Sequence, residues 1–193
     1  MAEEISYEGK LYELWVYRSL RWNLLITTVA WMVITTGYYA INLLLKYLAG
    51  NIFLNSYTTA AGEIVGKAAG GFVIVCIGLK RMYLVSFSLA ILGCIGMIVF
   101  AEYGSLTPYC VFISKLGYCM SFLGVYYNII LLFPTILKSS SMGFCNFFGR
   151  VAGIFAPVIA ELVPPVNLLI LLAGTAVTLI LSQCLIVPIV KKC

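Results

Sequence analysis

The chain has 193 residues, of which 63% are hydrophobic and only 10% charged, with a mean hydropathy of +1.06. Soluble domains carry roughly a quarter of their residues as charges, so this composition excludes one and points to spans of about 20 apolar residues. The formal net charge is +5 and the chain holds neither His nor Asp, which argues against His-based acid–base catalysis and most transition-metal sites.

In chain order, Met1–Lys10 is acidic and polar and does not read as a cleavable signal peptide, so the first span is expected to serve as the insertion signal. Leu11–Asn23 (LYELWVYRSLRWN) is amphipathic, aromatic and basic. It reads either as a juxtamembrane anchor along the inner leaflet or as a coupling helix. Apolar runs then follow at Leu24–Leu45, Phe53–Ile77, Met82–Ala101, Tyr109–Phe133, Met142–Ala160 and Val166–Val190. The expected organisation is a cytoplasmic segment over 1–23, a six-helix transmembrane bundle over 24–190 and a tail over 191–193.

Loop charges set the orientation through the excess of Lys and Arg on cytoplasmic loops. With both termini inside, that side collects Lys10, Arg18, Arg21, Lys80, Arg81, Lys138, Lys191 and Lys192, and the outside receives Lys46 with Glu102 and Glu161. The positive net charge therefore reflects topology, and nucleic acid is not an expected partner. The cysteines at 76, 94, 110, 119, 145, 184 and 193 lack CxxC spacing and read mostly as small apolar fillers. Cys193, beside Lys191 and Lys192, is a candidate for palmitoylation. No metal, cofactor or catalytic dyad is expected.

Lys67, Lys115 and Arg150 fall within the spans, where a charge costs at least a few kcal/mol and commonly faces a cavity, a partner or a ligand. In the second span Gly62, Gly66 and Gly70 form a doubled GxxxG, a row that lets another helix approach closely. Glu63 and Lys67 lie one helical turn apart beside it. Either they neutralise one another, or they face a water-filled path where Lys67 is available to an anion.

The fifth span carries Gly143, Asn146, Arg150, Gly153 and Pro157 on one stripe and Phe147, Phe148, Ile154 and Phe155 on the other. Arg150 stands about 12 Å in from the cytoplasmic end at 1.5 Å per residue, too deep to snorkel and unable to deprotonate. Glu63 is the one carboxylate within the spans. At least one of the three cations therefore lacks an internal carboxylate partner. Lys115, nearer the outer end of the fourth span, is placed where a lysine can snorkel. Tyr38, Tyr39, Tyr118, Tyr126, Tyr127 and Asn128 supply aromatic and polar groups suited to flat organic ligands or to packing.

SKLGYCMSF at 114–122, FPT at 133–135 and GRVAGIFAP at 149–157, with Tyr38-Tyr39, Lys67, the basic Gly78-Leu79-Lys80-Arg81 loop and LWVYRSLR at 14–21, resemble the C-terminal half of the organic ion transporters of the major facilitator superfamily (the solute carrier 22 family). The resemblance implies an all-α membrane protein forming one six-helix bundle of a twelve-helix fold, and a secondary transporter working by alternating access rather than an enzyme. It places Arg150 and Lys67 where the organic anion branch carries its cations. Leu131 replaces an acidic residue of the family, and Lys138-Ser139-Ser140-Ser141 is a weakened basic loop, so the cytoplasmic latch these groups form in the family is not expected.

An organic anion is the expected substrate, with Arg150, Lys67, Tyr38, Tyr39, Glu63, Lys115, Tyr126 and Asn146 as candidate binding residues. An organic cation or carnitine-like zwitterion held by Glu63 is the alternative, as is a non-transporting six-helix regulator of a full-length carrier. The expected surroundings are the lipid bilayer, with the plasma membrane favoured. The expected partner is an N-terminal six-helix half or a second copy; the chain reads equally as a piece of a longer protein or as a half-size subunit.

Overall fold

The computed structural model describes residues 12–48, 51–101 and 103–185. Lys10, Glu102 and the tail with Lys191, Lys192 and Cys193 lie outside them. The chain runs α1 (Glu13–Val16), α2 (Arg18–Leu44), α3 (Ile52–Ile77), α4 (Leu79–Val99), α5 (Thr107–Leu132), a 3-10 turn (Thr135–Leu137), α6 (Lys138–Ile154), α7 (Ala156–Ala160) and α8 (Val166–Gln183). No strand occurs among the described residues. Six helical stretches are long and apolar enough to cross a bilayer, with Thr135–Ala160 acting as the fifth.

Local chemistry explains the boundaries. Asn51 caps α3 by accepting a hydrogen bond from the Phe53 amide at 2.9 Å. Gly78, at φ +80°, ends α3 and lets α4 start at the next residue. Pro108 sits in the first turn of α5, where its missing N–H costs nothing. The fifth span breaks at Phe155 because Pro157 has no amide hydrogen to offer the Gly153 carbonyl.

α2 begins at Arg18, before the apolar run expected from Leu24. Leu20, Asn23 and Leu24 are buried in this first part, so packing carries the helix through a basic stretch. α1 is also held by the bundle: Leu14 is 1% exposed, and the Trp15 and Phe144 rings meet edge to face at 6.0 Å.

α2 and α5 form the centre, whereas α3 and the α6–α7 span are mostly exposed. Within a bilayer there is no water to satisfy polar atoms. Most serine and threonine hydroxyls of the spans are therefore met locally, as when Thr27 donates to the Asn23 carbonyl at 2.6 Å and Thr175 to that of Leu171 at 2.7 Å. Interhelical polar contacts add to this: Ser121 donates to Ser86 at 2.8 Å between α5 and α4, and Asn128 to Thr27 at 2.7 Å between α5 and α2. The glycine row of α3 is a packing seam. A Cβ on Gly66 would lie 2.8 Å from the Cys119 Cβ and 2.9 Å from the Leu116 carbonyl oxygen, and one on Gly62 would lie 3.0 Å from the Phe112 oxygen. Tyr118 is wholly buried against Gly37, so it, like Asn128, belongs to the core.

Candidate functional site

Two adjoining concavities open on the face shared by α2, α3, α5 and α6. One, of about 40 Å³, is lined by Trp31, Thr35, Tyr39, Phe122, Tyr126, Asn146, Gly149 and Arg150. The other, of about 160 Å³, is lined by Tyr38, Tyr39, Lys67, Cys119 and Phe122. Tyr39 and Phe122 belong to both. An aromatic wall joins them: Tyr38 meets Tyr39 at 5.3 Å and Phe122 at 5.8 Å, Phe122 meets Tyr126 at 5.8 Å, and Tyr126 meets Trp31 at 4.8 Å.

Of the candidate residues, Tyr38, Tyr39, Lys67, Tyr126, Asn146 and Arg150 line these concavities, whereas Glu63 and Lys115 do not. α6 packs on α2 through Cys145, Gly149 and Ala152: Gly149 fits against Trp31, Cys145 lies 3.3 Å from the Thr28 hydroxyl, and Thr36 donates to the Ala152 carbonyl at 3.2 Å. That docking leaves Asn146 and Arg150 at the edge facing the small concavity. Arg150 is exposed, and the one hydrogen bond it makes among the described residues runs from Nε to Asn146 Oδ1 at 3.4 Å. No carboxylate pairs with it there. Hydrocarbon would leave the guanidinium donors unmet, so this face suits water, a ligand or a partner.

Lys67 and Glu63 are paired, with Nζ 2.6 Å from Oε1. The Lys67 side chain remains 58% exposed and lines the larger concavity, so the pair is not sealed in the core. The two charges therefore do neutralise one another, as the first sequence reading has it.

Lys115 does not snorkel. It is wholly buried, and Nζ donates to the Asn42 Oδ1 at 2.9 Å and the Tyr38 carbonyl at 3.2 Å while lying 3.3 Å from the Tyr38 ring centroid. A buried cation is stable only with such partners. Lys115 therefore joins α5 to α2 and holds Tyr38 in the wall.

Trp31, Thr35, Phe122 and Cys119 also line the concavities and were not among the sequence candidates. For the aromatic residues the signal was present in their spacing on α2 and α5. For Thr35 there was none, because a span threonine ordinarily reads as a back-bonded filler. Away from this face, Lys46 pairs with Glu161 at 3.7 Å across the loops at the opposite end from α1. Neighbouring Tyr47, then Glu161, holds the exposed Lys46 ammonium above its ordinary pKa.

Fold and face together define a multi-pass helical membrane protein with a cationic, aromatic-walled concavity within its spans. No family model matches the chain. It is 27% identical over 161 residues to human solute carrier family 22 member 13, covering 82% of this chain and 29% of that protein. It is 25% identical over 150 residues to the rat organic cation/carnitine transporter 2, covering 76% and 27%. It is 26% identical over 183 residues to an organic cation transporter-like protein of Drosophila melanogaster, covering 89% and 31%. The chain resembles the solute carrier 22 organic ion carriers over most of its own length, and spans about three-tenths of theirs. These relatives are transporters rather than enzymes.

Proposed function

We propose that the chain forms one wall of a transmembrane pathway for organic ions, with organic anions as its preferred solutes. The observation that carries this reading is Arg150, a permanent cation inside a span, exposed and without a carboxylate partner among the described residues. An incoming carboxylate or sulfate would meet its free donors. Tyr39, Phe122 and Tyr126 would flank the organic body, with Lys67 as the second cation and Lys115 holding Tyr38 in place.

The opposite wall would be a second six-helix bundle, supplied by a preceding half of the polypeptide, a separate subunit or a second copy. Exposure of α3 and α6, which carry Lys67 and Arg150, supports such a partner. Movement would come from one bundle rocking against the other. The basic loops favour cytoplasmic termini, and the resemblance favours the plasma membrane.

A second reading has support in Glu63 and in the names of relatives that include organic cation and carnitine transporters. Here Glu63 would leave Lys67 to bind a cation or the positive end of a zwitterion. Equilibrium binding of benzoate and of phenyltrimethylammonium, two aromatic probes of opposite charge, separates the readings. Benzoate binding lost in Arg150→Gln supports the first, and phenyltrimethylammonium binding lost in Glu63→Gln supports the second.

A further inference from the structure

A cavity of about 270 Å³ sits away from the solute face, where α2 and α4 end and α8 begins. It is larger than either concavity described above and shares no lining residue with them. Leu44 and Leu48 at the end of α2, Met97 and Ile98 on α4 and Leu168 on α8 give it apolar walls. The space is well above the roughly 150 Å³ that takes up a benzene.

One polar group interrupts these walls. Asn167, the second residue of α8, is 1% exposed. Its Oδ1 accepts from the Leu168 amide at 2.7 Å. That bond satisfies one of the free donors in the first turn of the helix and fixes which end of the side chain is oxygen, since an N–H needs an acceptor. Nδ2 donates to nothing among the described residues. Unlike the hydroxyls of Tyr83 and Tyr118, it is not sealed in the core. The open space beside so buried a residue is the cavity it lines. The α8 N-terminus adds the positive end of a helix dipole. Both features call for an acceptor oxygen inside an otherwise apolar site.

Position supplies the source of that oxygen. At the ends of the spans the hydrocarbon of a bilayer gives way to its interfacial layer. Tyr47 lies half exposed at the rim, with the Lys46 ammonium 4.6 Å from its ring centroid, a pairing suited to that layer. Lys46 is exposed and loosely shared with Glu161 at 3.7 Å.

We propose that this cavity binds one diacyl phospholipid, with an acyl chain between the leucine and methionine walls, its ester carbonyl accepting from Asn167 Nδ2 and its phosphate turned towards Lys46. Lipid tails are as apolar as the walls, so filling the cavity gives no preference by itself. The carbonyl bond gives one, because Nδ2 otherwise meets hydrocarbon. The site is independent of whether the solute is an anion or a cation.

The test places the full chain in phosphatidylcholine nanodiscs carrying a phosphatidylcholine with a diazirine on one acyl chain, and maps the cross-links by peptide mass spectrometry. Phe53 and Tyr109, exposed at the same end of the bundle, report ordinary lipid contact. Cross-links to Met97, Ile98 and Leu168 are expected to exceed those to Phe53 and Tyr109, although Met97 and Leu168 are buried. A diether analogue of the probe, which lacks the carbonyl, should label the cavity about fivefold less and the two controls equally. Asn167→Asp keeps the acceptor for the Leu168 amide and removes the donor, and should have the same effect with the diester probe. Ala101→Trp, at the exposed mouth, should block labelling by filling the space while leaving Asn167 in place. Cavity labelling no stronger than at Phe53 and Tyr109 would reduce the site to ordinary lipid contact and overturn the proposal. Equal cavity labelling by the diester and diether probes would also overturn it, and that comparison needs no substituted chain to fold.

Discussion

Lys67 Nζ lies 2.6 Å from Glu63 Oε1, one turn away on α3, at the surface of a concavity walled by Tyr38, Tyr39 and Phe122. The pair neutralises the two charges that α3 carries into the bilayer. It also means that an anion reaching Lys67 competes with a carboxylate already in place.

Glu63→Gln should therefore release Lys67. Lys67 is more than half exposed and the pair is open to screening, so the gain is small, about two- to fivefold tighter benzoate binding. The effect should vanish in a Glu63→Gln, Lys67→Gln double variant. Equilibrium binding on the four members of that cycle measures the coupling directly.

Lys115 is expected to matter for architecture before affinity. Lys115→Met keeps an unbranched side chain one atom shorter, removes the charge, and loses the bonds to Asn42 and to the Tyr38 carbonyl. A destabilisation of about 1–3 kcal/mol is expected, read as a lowered unfolding temperature in nanodiscs. A wholly neutral effect would mean that Tyr38 is held by its aromatic neighbours alone.

The α3–α5 seam tolerates no side chain at Gly66, where even a Cβ would crowd the Leu116 backbone. Gly66→Leu should separate the two helices, costing about 3 kcal/mol or more and withdrawing Lys67 from Tyr38 and Cys119. Cysteine cross-linking between α3 and α5 would report the separation as lost coupling, whereas Gly143→Ala, at an open position, should leave it intact.

Much of this was legible in the chain. The GxxxG row, the helical spacing of Glu63 and Lys67, and the depth of Arg150 depend only on periodicity and rise per residue. What escaped depends on neighbours far away in sequence. Depth alone suggested snorkelling for Lys115; its actual partners, Tyr38 and Asn42, are on another helix, 77 and 73 residues away. Thr35 was invisible because a hydroxyl's rotamer is chosen by its surroundings. The start of α2 at Arg18 was missed because an average over hydropathy discounts arginines, while burial of Leu20 and Asn23 keeps the helix going.

The account turns on Arg150 being the primary anchor for an organic anion. Uptake of labelled benzoate into cells expressing the chain, alone and together with a separate six-helix N-terminal bundle, with Arg150→Asp at matched surface expression, tests it most directly. The account predicts uptake that Arg150→Asp abolishes. Equal uptake by the unsubstituted and Arg150→Asp chains would contradict it.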